Sequence, residues 1–93
     1  MQRTVLIVDD DSTQRRLLEA VVGRMGHRTL PAAGGAEALA MLAGGRGAPI
    51  DLVLLDLVMP DMGGLEVLAK LRPTNPDLPV IVLTAKGGID SAV

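Results

Sequence analysis

The sequence predicts an α/β domain built on a parallel sheet with right-handed crossovers. Three observations carry this. Strand-like apolar runs alternate with helix-spaced stretches in the order β-α-β-α-β-α-β. The run Ile50-Asp51-Leu52-Val53-Leu54-Leu55 is apolar at five of six positions, which suits a strand covered on both faces. Three of the four expected strands end in a polar group: Asp9-Asp10, Asp56 and Thr84. Open α/β sheets bind their ligands at that carboxyl edge.

Thr4-Val5-Leu6-Ile7-Val8 is the first expected strand, followed by Asp9-Asp10-Asp11. Ser12 or Thr13 is expected to cap the next helix. Leu17, Leu18, Val21, Val22 and Met25 repeat there at helical spacing, with Gln14, Arg15 and Glu19 on other faces. Gly26 is the expected stop. His27-Arg28-Thr29-Leu30-Pro31-Ala32 reads as a more polar strand. Pro31 cannot donate to a ladder, which places this strand at a sheet edge. Gly34-Gly35 opens a second helix, Ala36 to about Ala43, with Leu39 and Leu42 inward. Gly44-Gly45-Arg46-Gly47-Ala48-Pro49 is a loop.

The run from Ile50 forms the third strand and is terminated by Asp56. Gly63-Gly64 precedes a third helix carrying Leu65, Leu68 and Leu71. Pro73-Thr74-Asn75-Pro76-Asp77 breaks it, and Leu78-Pro79-Val80-Ile81-Val82-Leu83 is the fourth strand, ending at Thr84. Gly87-Gly88 hinges into a fourth helix, of which Ile89 to Val93 are present. No internal repeat, low-complexity tract or linker interrupts the pattern.

Composition narrows the function. The 93 residues suit one domain. Hydrophobic residues make up 48% and include no Phe, Tyr or Trp, so the core must be aliphatic. The absence of Cys excludes a disulfide scaffold and a thiolate metal site. A net charge of −2 argues against a basic nucleic-acid surface. No apolar run approaches the roughly 18 residues of a membrane span, and no cleavage region follows Met1. A cytoplasmic location is expected.

If the first and third strands are neighbours, Asp9, Asp10 and Asp56 converge. Like charges about 4 Å apart cost about 4 kcal/mol at an effective dielectric near 20. A raised carboxylate pKa or a bound cation relieves that cost. Carboxylate oxygens without His or Cys favour a hard ion, Mg²⁺ or Mn²⁺. A carboxylate can also accept a phosphoryl group, and a metal beside it neutralises the developing charge.

Val5-Leu6-Ile7-Val8-Asp9-Asp10-Asp11, Asp56-Leu57-Val58-Met59-Pro60 with Gly64, and Val80-Ile81-Val82-Leu83-Thr84-Ala85 together resemble the receiver domain of two-component response regulators. The resemblance runs from Thr4 to the end. It implies a doubly wound, flavodoxin-like sheet with strand order 2-1-3-4. It implies that Asp56 accepts a phosphoryl group from a histidine kinase. Asp9 and Asp10 would hold Mg²⁺ with Asp56 and the Val58 carbonyl, and Thr84 would be the switch hydroxyl. Met59-Pro60 and Gly64 would shape the site loop. Gly87 to Val93 resembles the fourth-helix start of receivers attached to ATPase-type transcription activators.

The resemblance implies a phospho-accepting regulatory domain rather than a turnover enzyme, read by an output domain or effector protein. The family also carries a fifth strand ending in lysine and a fifth helix. Lys86, two residues past Thr84, does not match that lysine. The expectation is therefore one receiver-like domain over residues 1–93, incomplete at its C-terminus. Its fourth strand would leave an edge open to homodimerisation or strand exchange. Two rival functions remain at this point. An interaction module would never take phosphate. An aspartyl-phosphate phosphohydrolase would carry a second Asp two residues after the nucleophile, where Val58 stands.

Overall fold

The computed structural model describes residues 2–44 and 49–83. Its elements run β1 (Thr4–Val8), α1 (Ser12–Arg24), β2 (Arg28–Ala32), α2 (Gly35–Gly44), β3 (Leu52–Asp56), α3 (Gly64–Leu71) and β4 (Val80–Leu83). Among the described residues the strands form one parallel sheet in the order β2-β1-β3-β4. β1 and β3 are therefore neighbours, as convergence of the acidic residues requires. Pro31 lies on the outer strand β2, opposite Ile7, where its missing donor is tolerated.

Alternation along the central strands divides the core. Leu6, Val8, Val53 and Leu55 are fully buried and pack with Ala38, Met59, Val67 and Leu71. Val5 and Ile7 face the other way and pack with Val22, and with the half-buried Leu18, Leu52 and Leu54. Each fully buried aliphatic side chain contributes about 1.5–3 kcal/mol on transfer grounds. β4 presents a more open surface, with Ile81 50% and Val82 39% exposed.

Helix α1 buries less than its sequence suggests. Val22 is buried and Leu18 half-buried, but Leu17, Val21 and Met25 are 62%, 57% and 67% exposed. Among the described residues the sheet flank covers only the Leu18-Val22 stripe, and Leu17, Val21 and Met25 are left open. Similarly, α3 buries Val67 and Leu71 and half-buries Leu68, while Leu65 is exposed. The helix cap also differs from expectation. Neither Ser12 nor Thr13 caps α1; Asp11 does. Its Oδ1 accepts from the amides of Thr13 at 2.9 Å and Gln14 at 3.3 Å. Asp11→Ala is expected to cost about 1 kcal/mol of stability, read as a lower denaturant midpoint at unchanged slope. Gly26, at φ +90°, ends the helix as expected.

β3 begins at Leu52 rather than Ile50. Asp51 instead ties the start of β1: its carboxylate accepts from the Thr4 amide at 2.8 Å, and its own amide donates to the Thr4 carbonyl at 2.8 Å. This bracket helps set the register in which Val8 lies opposite Leu55. Asp9 and Asp56 are the next residues along each strand.

Candidate functional site

Asp9 follows β1, and its amide donates to the Ala32 carbonyl at 3.1 Å. Asp56 is the last residue of β3, opposite Leu83 of β4. Both are buried, at 2% and 5% exposure, whereas Asp10 is exposed. One carboxylate oxygen from each of Asp9, Asp10 and Asp56 lies within 4.8 Å of the others. The three acids named from the sequence thus meet at the carboxyl edge of adjacent strands.

Backbone amides fix the two buried acids. Asp9 Oδ1 accepts from the Asp11 amide at 2.9 Å. Asp56 Oδ1 accepts from the Val58 amide at 3.1 Å, and its second oxygen takes no hydrogen bond from a described residue. The Val58 side chain is 70% exposed. Thr84 lies outside the described residues, as do Lys86 and the segment Gly87 to Val93.

No cation of the chain is spent on this cluster among the described residues, where the ion pair found is Lys70–Glu66 at 3.6 Å. The Arg15 guanidinium reaches the site but donates to the Asp9 carbonyl oxygen, at 2.7 Å. Three oxygen donors without nitrogen or sulfur fit a hard divalent ion. Burial pushes the Asp9 carboxyl above the usual carboxylate range; the Asp11 amide opposes this, and the charges of Asp56, Asp10 and Asp11 add to it.

That shift has a definite sign. At low pH the folded and unfolded chains both hold the Asp9 proton, and Asp9 imposes no penalty. As pH rises, the unfolded chain ionises first, so the folded state loses stability until its own raised pKa is passed. In chelator, the melting temperature of the wild type should therefore fall relative to Asp9→Asn across that interval. Parallel pH profiles of the two proteins would contradict the electrostatic reading.

Comparison with known proteins places this geometry in a family. The family model for the response regulator receiver domain matches residues 5–93. The chain belongs to the response regulator receiver family. The receiver is 41% identical over 90 residues to the probable transcriptional regulatory protein TcrX of Mycobacterium tuberculosis, covering 97% of this chain and 37% of that protein. It is 37% identical over 92 residues to the transcriptional regulatory protein ZraR of Klebsiella oxytoca, covering 99% and 20%. The receiver thus spans well under half of these curated relatives. Among solved structures, response regulator TrrA of Thermotoga maritima, in complex with Mg²⁺-BeF, superposes with a TM-score of 0.83 at 36% identity. That match covers 91% of this chain and 71% of the other.

The structure also shows contacts around the receiver site that the sequence reading missed. Asp61 reaches the start of α2, where its Oδ1 accepts from Gly35 at 3.5 Å and its Oδ2 from Ala36 at 3.4 Å. Those amides, Ala36 first, hold its carboxyl below the usual range. Glu37 Oε1 accepts from the Ala33 amide at 2.9 Å. An acidic residue in the first turn of α2 was a visible signal for Glu37. Asp61 carried no such signal.

Proposed function

We propose that this receiver is a phosphorylation-dependent signalling switch, with Asp56 as the phosphoryl acceptor and a histidine kinase as donor. The convergence of the Asp9, Asp10 and Asp56 carboxylates within 4.8 Å supports this reading most strongly. Asp9, Asp10, Asp56 and the Val58 backbone carbonyl would hold Mg²⁺, with Mn²⁺ as substitute. The bound ion would offset negative charge on the transferred group. An Asp56 carboxylate oxygen attacks phosphorus, the phosphorus–nitrogen bond of the donor phosphohistidine breaks, and its electron pair leaves with the imidazole. The product is an acyl phosphate.

The Val58 amide keeps the acceptor in place by holding Asp56 Oδ1. Thr84 is the switch hydroxyl in this reading, donating to the new phosphoryl group. The added charge biases the surface that an output domain or effector protein reads. The domain acts as a cytoplasmic regulatory module without turnover of an external substrate. The relatives' names favour transcription regulation as the output.

Incubation with a small acyl phosphate and Mg²⁺, followed by peptide mass spectrometry, tests the assignment. One phosphoryl group should appear, on the peptide containing Asp56, and chelator should suppress it. Modification at another carboxylate would overturn the assignment.

A further inference from the structure

Asp61 belongs to neither the acidic cluster nor the packed core, yet it joins the loop after β3 to the start of α2 beside the site. The residue preceding α2 is Gly34, which has no side chain to cap the helix. Asp61 serves in its place from across the sheet edge, through the Gly35 and Ala36 amides. Negative charge is stabilising at a helix N-terminus.

The two glycines make room for this contact. A Cβ at Gly34 would lie 2.9 Å from Asp61 Oδ2 and 3.0 Å from Oδ1. A Cβ at Gly35 would lie 2.6 Å from Val67 Cγ2 and 2.9 Å from Met62 Cβ. Gly34-Gly35 therefore does more than open a helix: it is the seat for Asp61 and Met62.

Residues 57–63 connect the acceptor strand to α3. At their base the Gly64 amide donates to the Leu57 carbonyl at 2.9 Å. Midway, Met59 is buried in the core. Asp61 provides an attachment to a different element. Val58, whose carbonyl is assigned to the ion, lies between the first two of these anchors and three residues before Asp61.

We infer that Asp61 is a positioning residue, fastening the 57–63 loop to the α2 N-terminus and so holding the Val58 carbonyl and Asp56 in register for a divalent ion. This rests on the proposed reading of the acidic cluster as a Mg²⁺ site. The seat is shared, so Gly34→Ala and Asp61→Ala remove the same contact.

Calorimetric titration with Mg²⁺ tests the role. Asp61→Ala should weaken Mg²⁺ binding by about tenfold, the low end for residues that orient ligands from behind. Gly34→Ala should weaken it in the same direction, and the double variant should be no weaker than the worse single one. Asp61→Asn keeps an acceptor oxygen and should show a smaller loss; it also serves if Asp61→Ala does not fold. Glu37→Ala perturbs the same helix start without touching the loop, and should leave Mg²⁺ affinity unchanged.

Wild-type affinity in both Asp61 variants, beside a wild type that binds Mg²⁺, would overturn the positioning role alone. So would an equal loss in Glu37→Ala, which would mark a general effect of α2. A wild type that binds no Mg²⁺ would overturn the underlying metal site and this role with it.

Discussion

Asp56→Asn is expected to remove labelling by a small acyl phosphate, reducing it to background while the fold persists. The substitution preserves volume and leaves an oxygen to accept from the Val58 amide, which now holds Asp56 Oδ1 at 3.1 Å. What it removes is the anionic nucleophile. It also lowers the negative charge beside Asp9, so the unlabelled variant should be no less stable in chelator. Neighbouring Asp9 and Asp10 should not substitute as acceptors, because their proposed task is to hold the ion. Phosphopeptide mass spectrometry of wild type and variant checks this. Equal labelling would remove Asp56 from its proposed role.

Gly64→Ala is expected to carry the largest stability cost of any single methyl addition in the site loop. A Cβ there would lie 2.5 Å from the Asp56 carbonyl oxygen and 2.8 Å from Leu57 Cα. Both are backbone atoms, so no side-chain rotation relieves the clash. Overpacking of this kind costs about 3 kcal/mol, a large share of the roughly 5–15 kcal/mol that holds a domain together. Relief must move the backbone of Asp56 or Leu57, and acceptor geometry should suffer with stability. Gly63→Ala is the control. It is one residue earlier, its φ of −64° suits alanine, and the nearest atom to a Cβ is the Leu57 carbonyl oxygen at 3.7 Å. Denaturant melts of the two variants should separate clearly. Equal stability would show that the loop yields more easily than its packing implies.

Much of this protein was legible because two signals coincide. The central strands are apolar on both faces, and their ends change abruptly to aspartate. That pairing exposed the parallel sheet and singled out Asp9, Asp10 and Asp56; the missing donor of Pro31 marked an edge strand, and the strand order that brings the three acids together came from the family resemblance. Helix faces were harder. Leu17, Val21 and Met25 share the periodicity of Leu18 and Val22, and sequence spacing does not reveal how wide a stripe one sheet flank covers. The α1 cap was misassigned because Asp11 and Ser12 are both good caps, and the helix begins one residue earlier than the more conventional choice implied.

Contacts between loops left almost no trace. Asp61 and Ala36 are 25 positions apart, and Asp61 lies outside every periodic segment. The same holds for Arg15, whose spacing marks a polar helix face without showing that it reaches the Asp9 carbonyl. Gly34-Gly35 looked like a helix opener, while its closer constraint is the space taken by Asp61, Met62 and Val67. Such close approaches depend on how the sheet brings distant turns together.

A Mg²⁺ titration followed by thermal unfolding tests the acidic cluster most directly. A ligand at about 100 times its dissociation constant stabilises the folded state by about 2.7 kcal/mol, and each kcal/mol moves the melting temperature of a domain this size by roughly 4–8 °C. The wild type should therefore show a large, saturable rise, and Asp9→Asn should lose most of it. A flat wild-type response, or one that Asp9→Asn reproduces in full, would contradict a divalent-ion site built from these carboxylates.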